Sequence, residues 1–205
     1  MMTIVRLIAM ITAVSLLPGC IDPPKAPYVD VHDLVATIEQ SRAKAEQGDA
    51  EAQYHLGMQY ERMGLDYREA VRWYRMAAMQ RHVEAFYRLC VLSDIGRGML
   101  QDYQEALRWC RLAADYGHAR AMMTIGVHYE KGRSLTKDLV QAHLWYNLAA
   151  AYGERDGAKW RDRLVLDMTR DQIAQAQFLA RNWRPKAQVH NQEEQAKPLS
   201  SEPEP

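Results

Sequence analysis

Ser134-Leu135-Thr136-Lys137 places a serine three residues before a lysine, the spacing by which penicillin-recognising enzymes set a base beside their nucleophile. That chemistry needs the serine at the start of a buried helix, with Lys-Thr-Gly and Ser-Asp-Asn elsewhere. Neither companion motif occurs in the chain, and the register described below sets the four residues against Gly98 to Gln101, in a loop. Gly-x-Ser-x-Gly and a glycine-rich phosphate loop are also missing. The seven histidines are scattered. His82 and His118 open repeated units, where capping or packing is the expected role. His128 and His143 fall on different helices of one unit and could approach, but two ligands do not make a zinc site. No catalytic residue, cofactor or metal ligand set is expected, and the chain is read as a non-enzyme.

The elements that hold these residues repeat. Trp73, Trp109 and Trp145 stand 36 residues apart, each heading a phrase that ends in two alanines: Trp73 to Ala78, Trp109 to Ala114, Trp145 to Ala150. Ala70, Ala106 and Ala142 precede the phrases by three residues, and Gly117 and Gly153 close two of them. Upstream, Ala52 to Gly57 answers to Ala85 to Cys90 and Ala121 to Gly126, with steps of 33 and 36 residues. The first unit therefore lacks three residues, and the deficit falls between Tyr60 and Ala70, as expected of a loop. Ala85, Leu89 and Leu92 recur at helical spacing, as do Ala106, Trp109, Cys110 and Ala113, so each unit reads as two helices. Asp102 can cap the second of them. Small residues at Gly57, Ala70, Gly126 and Ala142 let the helices of a hairpin approach closely. A period of this size, with two helices per unit, predicts an all-α solenoid whose core lies between stacked neighbours.

Gly48-Asp49-Ala50-Glu51-Ala52 leading to Leu56-Gly57 and Tyr60, and Ala142-His143-Leu144-Trp145-Tyr146 leading to Ala149-Ala150 and Gly153, resemble the Sel-1-like repeat, a relative of the tetratricopeptide repeat. The resemblance runs from about Gly48 to Trp183. It implies a right-handed α-solenoid, and an adaptor or assembly factor whose first helices line a concave face. Some cysteine-rich relatives have been described as binding or hydrolysing β-lactams, so an enzyme of that kind and a factor that binds cell-wall polymer are the rival readings.

Lys+Arg and Asp+Glu both count 26, which gives no general pull toward nucleic acid or anionic lipid. The start of the chain sets the expected compartment. Arg6 precedes an apolar run from Leu7 to Leu17, which is too short to span a bilayer but suits a secretory signal. Leu17-Pro18-Gly19-Cys20 resembles a bacterial lipobox; Pro18 departs from the pattern, while Leu17, Gly19 and Cys20 fit it. Cys20 is then the lipidated residue. The next residue is Ile21 rather than the aspartate that commonly retains enterobacterial lipoproteins in the inner membrane, so the expected address is the outer membrane, on its periplasmic side.

The expected organisation is a signal over 1–19, a lipidated proline-rich tether over 20–29, and a capping helix over 30–48 started by Asp30 or Asp33. Three repeats follow over 49–81, 82–117 and 118–153. A capping helix pair occupies 154–184, with one helix over Ala158 to Asp167 and a capping box at Thr169 to Gln172, and a disordered polar tail fills 185–205. The concave positions are Glu51, Tyr54, Met58 and Glu61; Glu84, Tyr87, Val91 and Asp94; and Arg120, Met123, Val127 and Glu130. They form an apolar strip with Glu61, Asp94 and Glu130 along one edge, suited to a segment of another envelope or secreted protein whose basic residues those carboxylates select. Arg72, Arg75, Arg108 and Arg111 form a convex stripe that reads as a solvated face. Cys90 stands where the other units have Gly57 and Gly126, and Cys110 where they have Tyr74 and Tyr146. Both positions face the contact between helices, so with Cys20 assigned to lipid a Cys90–Cys110 disulfide is expected, the alternative being two buried thiols.

Overall fold

In the computed structural model the chain is divided into two units, Met1–Ala36 and Thr37–Pro205. The structure describes residues 39, 41–64, 66–133 and 135–186, all in the second unit. Cys20, the tether, Asp30, Asp33 and Ser134 lie outside the described residues, as does the tail beyond 186.

Among the described residues a helical stretch at 41–46 precedes eight α-helices: α1 (Ala50–Arg62), α2 (Tyr67–Met79), α3 (Val83–Ile95), α4 (Tyr103–Asp115), α5 (Ala119–Lys131), α6 (Leu139–Ala151), α7 (Arg155–Leu164) and α8 (Arg170–Asn182), with a 3-10 turn at Val165–Asp167 between the last two. No strand occurs among the described residues. Pairing is sequential. α1 packs on α2, α3 on α4 and α5 on α6 as hairpins; α2 meets α3 and α4 meets α5 between hairpins; α7 and α8 both close against α6. The three-residue deficit of the first unit falls in the α1–α2 loop, as its sequence predicts.

Local chemistry sets each helix start. Asp66, Asp102 and Asp138 recur every 36 residues in extended backbone, and their carboxylates accept from the amides of Arg68 (2.8 Å), Gln104 (2.8 Å) and Gln141 (3.0 Å). Each satisfies an amide that the first turn leaves without a partner. Gly96 (φ 71°) and Gly132 (φ 68°) end α3 and α5 in the left-handed conformation that glycine enters without penalty. The turns from one hairpin to the next use the same region at Gly117 (φ 83°) and Gly153 (φ 100°), but at Arg81 (φ 63°) after the first hairpin.

The core follows the repeat register. Leu56, Leu89 and Ile125 are equivalent and fully buried, as are Ala70, Ala106 and Ala142, and Ala77, Ala113 and Ala149. Burial of this kind, multiplied along the stack, is the main stabilising term of a solenoid. Polar residues enter it at Gln53, Ser93, His128 and His143; Gln53 stands where later units have Phe86 and Met122, and its amide donates to the Ala45 carbonyl at 3.0 Å, tying the first hairpin to the preceding stretch.

Two boundaries differ from the sequence reading. α7 begins at Arg155, three residues before Ala158. Pro185 is buried and Lys186 Nζ lies 3.1 Å from Asp115 Oδ2, so the packed structure continues past the point where the polar tail was expected to begin. The capping box at α8 is present, with the Thr169 amide donating to Gln172 and the Gln172 amide to Thr169.

Candidate functional site

The first helices of the hairpins carry the expected concave positions, and a ladder of contacts from each hairpin to the next engages many of them. His82 caps α3 by accepting the Ala85 amide at Nδ1 (3.2 Å), which leaves its Nε2 proton for Glu51 (3.0 Å). His118 repeats this on α5, accepting from Ala121 (3.1 Å) and reaching Glu84 (3.1 Å). Each imidazole also stacks on a tyrosine, His82 on Tyr54 at 4.6 Å and His118 on Tyr87 at 4.4 Å. At the third joint the charges are exchanged: Arg120 pairs with Glu154 at 3.6 Å, and Glu154 makes no side-chain cap. The His82 hydrogen bond holds the Glu51 carboxyl below its ordinary range. Burial lowers the His118 pKa, against the pull of Glu84, and raises that of the Tyr87 phenol.

Inside the hairpins a second pattern ties down the row of carboxylates. The Tyr74 hydroxyl donates to Glu61 at 2.6 Å and the Tyr146 hydroxyl donates to Glu130. Burial and these carboxylates push both phenols far above their ordinary range. Arg88 then reaches Glu61 at 3.7 Å, and Arg163 reaches Glu130 at 2.6 Å. In the second hairpin Cys110 replaces the tyrosine and is bonded to Cys90, with 5.2 Å between Cα atoms. Asp94 has no phenol to meet, and turns instead to the next unit: Oδ1 lies 3.1 Å from His128 Nε2, and Oδ2 lies 3.5 Å from Arg133.

The expected edge of free carboxylates is therefore replaced by a neutralised one. Glu51 and Glu84 are spent on histidine caps; Glu61, Asp94 and Glu130 each hold a cation of the next unit. Tyr54 is also corrected: it is only 9% exposed and belongs to the core. Met58 and Val91 are half-buried. The other concave residues come together between α3 and α5. There Tyr87, Asp94, Arg120, Met123 and Val127 bound a pocket of about 360 Å³, completed by Thr124, His128, Arg133 and Glu154. These last four were not singled out for the groove. Their signal was present in the register, since Thr124 stands where the preceding unit has Arg88, and His128 where it has Leu92.

Among the remaining candidates, His143 is buried on α6 where earlier units have Val71 and Leu107, and burial, then Arg161, lowers its pKa. No group of three metal-ligating side chains exists among the described residues, nor any helix long and apolar enough to cross a membrane. Arg72 lies over Trp73 and pairs with Glu69 (3.0 Å), Arg75 pairs with Glu105 (3.3 Å), and Arg111 donates to the Tyr129 hydroxyl (3.1 Å), so much of the convex stripe is internally compensated.

The Sel1 repeat pattern matches three successive stretches, residues 50–82, 83–118 and 119–153. The chain belongs to the Sel1 repeat family. Its solved structural neighbours include a protective antigen present in uropathogenic Escherichia coli strains, displaying an SLR fold, which is 29% identical over 82% of this chain with a TM-score of 0.70. A Sel1 repeat protein from Oxalobacter formigenes is 26% identical over 82% of this chain, with a TM-score of 0.61. The chain spans 37% of the length of the first and 78% of the second. No curated protein matches it. Sel1 repeats generally mediate protein–protein interaction, and the fold is typically a non-catalytic scaffold.

Proposed function

We propose that this Sel1 repeat protein is a lipid-anchored scaffold on the periplasmic side of the bacterial outer membrane, holding another envelope or secreted protein by the concave side of its solenoid. The observation that carries the binding half is the pocket between α3 and α5, where Tyr87, Met123 and Val127 meet between two ion pairs. An apolar floor with a polar rim is the composition of a protein-binding anchor site. The anchoring half rests on the run ending at Cys20 and on the disulfide, which suits an oxidising compartment.

Fractionation tests the anchor: wild-type protein is expected in the membrane fraction and Cys20→Ala in the periplasm or unprocessed. Mature Cys20→Ala protein that still needs detergent for release would remove lipidation from the account. Chemical crosslinking in intact cells, followed by mass spectrometry of the purified adducts, tests the scaffold. A reproducible envelope or secreted protein is expected, and cell-wall glycan without any protein would favour a polymer-binding role.

A further inference from the structure

We infer that the pocket at the second joint takes one uncharged apolar side chain, aromatic or branched aliphatic, from an extended segment of a partner protein. This rests on the scaffold reading and specifies what the scaffold recognises.

The first two joints of the solenoid supply the comparison. At the first, the floor positions are Tyr87 and Arg88 on α3, facing Glu61 on α1; at the second they are Met123 and Thr124 on α5, facing Asp94 on α3. Arg88 extends across the first joint to Glu61 at 3.7 Å and occupies the space. Thr124 cannot, and turns its hydroxyl back to the Arg120 carbonyl at 3.0 Å within its own helix. Met123 is slimmer than a tyrosine, and Asp94 is one methylene shorter than Glu61. Three shortenings at one joint leave the 360 Å³ cavity, at the lower end of the roughly 300–1,000 Å³ of ligand pockets and suited to a single large side chain with its flanking backbone.

Charge decides which side chain. Asp94 contacts His128 and Arg133, and Glu154 contacts Arg120. A lysine or arginine entering the pocket must draw a carboxylate away from its arginine, and an entering carboxylate must do the reverse. An entering carboxylate leaves the largely buried Asp94 or Glu154 without its arginine, and an entering cation is set beside Arg120 or Arg133 in competition for the same carboxylate, so either charge is disfavoured. An apolar group displaces no ion pair and meets Tyr87, Val127 and the adaptable thioether of Met123. Arg120 and Arg133, whose side chains are 70% and 40% exposed, stand at the rim where they can donate to backbone carbonyls of the bound segment.

The test uses purified protein labelled with ¹³C at the methionine methyls, the Met123 signal being assigned through Met123→Leu. Capped Gly-Ser-X-Ser-Gly peptides with Phe, Leu, Lys or Glu at X are titrated. A saturable shift of the Met123 methyl is expected with the Phe and Leu peptides and not with the Lys and Glu peptides. Thr124→Arg restores the residue type of the first joint, and is expected to fold normally and abolish the shift; should it fail to fold, Met123→Tyr, read at Tyr87 and Val127, makes the same test. Absence of a shift with Phe and Leu, equal shifts with Lys or Glu, or binding retained in the folded filled variant would overturn the assignment. A partner crosslinked in cells equally by wild type and Thr124→Arg would overturn the pocket alone, and leave the scaffold reading standing.

Discussion

In the first and third hairpins a glycine on the first helix faces a tyrosine on the second, whereas in the middle hairpin two cysteines occupy both places. A Cβ added to Gly57 would lie 2.8 Å from the Tyr74 ring, and one added to Gly126 would lie 2.6 Å from the Tyr146 ring, so each glycine makes room for its tyrosine. Removing the ring at Cys110 frees that room, and Cys90 grows into it until the sulfurs bond. The exchange also removes a phenol that would hold the carboxylate at 94. Glu61 and Glu130 reach the next unit while also holding a phenol; Asp94 turns both oxygens to the next unit, to His128 and Arg133, and becomes one wall of the pocket. Covalent closure of the hairpin and the turning of both Asp94 oxygens to the next unit thus follow from the same pair of substitutions, while the shorter Met123 and Thr124 leave the space beside them open.

The largest expected effect comes from breaking that closure. Cys90→Ala with Cys110→Ala releases a loop with a sequence separation of 20 and should cost about 3 kcal/mol in urea unfolding. Cys90→Gly with Cys110→Tyr rebuilds the pattern of the neighbouring hairpins and should recover most of that loss. A rebuilt hairpin no more stable than the double alanine variant would show that Gly–Tyr packing and the disulfide are not equivalent solutions. Next in size is Gly126→Ala, where the new methyl meets the Tyr146 ring and should cost about 1–3 kcal/mol. An unchanged melting temperature would mean that the ring moves aside freely.

Acid separates the third hairpin from the others. His143 and His118 have folded pKa values below the ordinary histidine value of 6.5, so the unfolded chain binds more protons just below that pH. Their contribution is complete above about 6.5 and declines as pH falls through the window beneath it. His143→Leu restores the apolar residue type of Val71 and Leu107, and should flatten the fall in stability between neutral and mildly acidic pH. An unaltered slope would assign that fall to other groups. The smallest effect is a gain: Arg81→Gly matches the turn to Gly117 and Gly153, relieves a left-handed arginine, and should stabilise by up to about 1 kcal/mol in thermal unfolding.

The period, the two-helix unit and the short first loop were legible because all are properties of spacing. The cysteine pair was legible because the neighbouring units served as its reference. Tyr54 was misplaced because tyrosine at a concave position can either line the groove or stack on the next helix cap, and only the position of His82 decides between them. The carboxylate row was misread for a related reason: Glu61, Asp94 and Glu130 face the same way, but their partners Arg88, Arg133 and Arg163 lie 27, 39 and 33 residues onward. Pairing of that kind belongs to the stack and not to the unit. The pocket required comparison of joint with joint, where Thr124 against Arg88 was the informative difference.

The most direct test of the account is a photoreactive amino acid placed at Val127, in the pocket, and separately at Arg108, on the convex face, in otherwise intact cells. Irradiation should yield a discrete adduct with another protein from position 127, weak or absent from position 108, and lost from 127 when Thr124→Arg fills the pocket. Adducts from 108 but not 127, or adducts at 127 indifferent to the filled pocket, would contradict it.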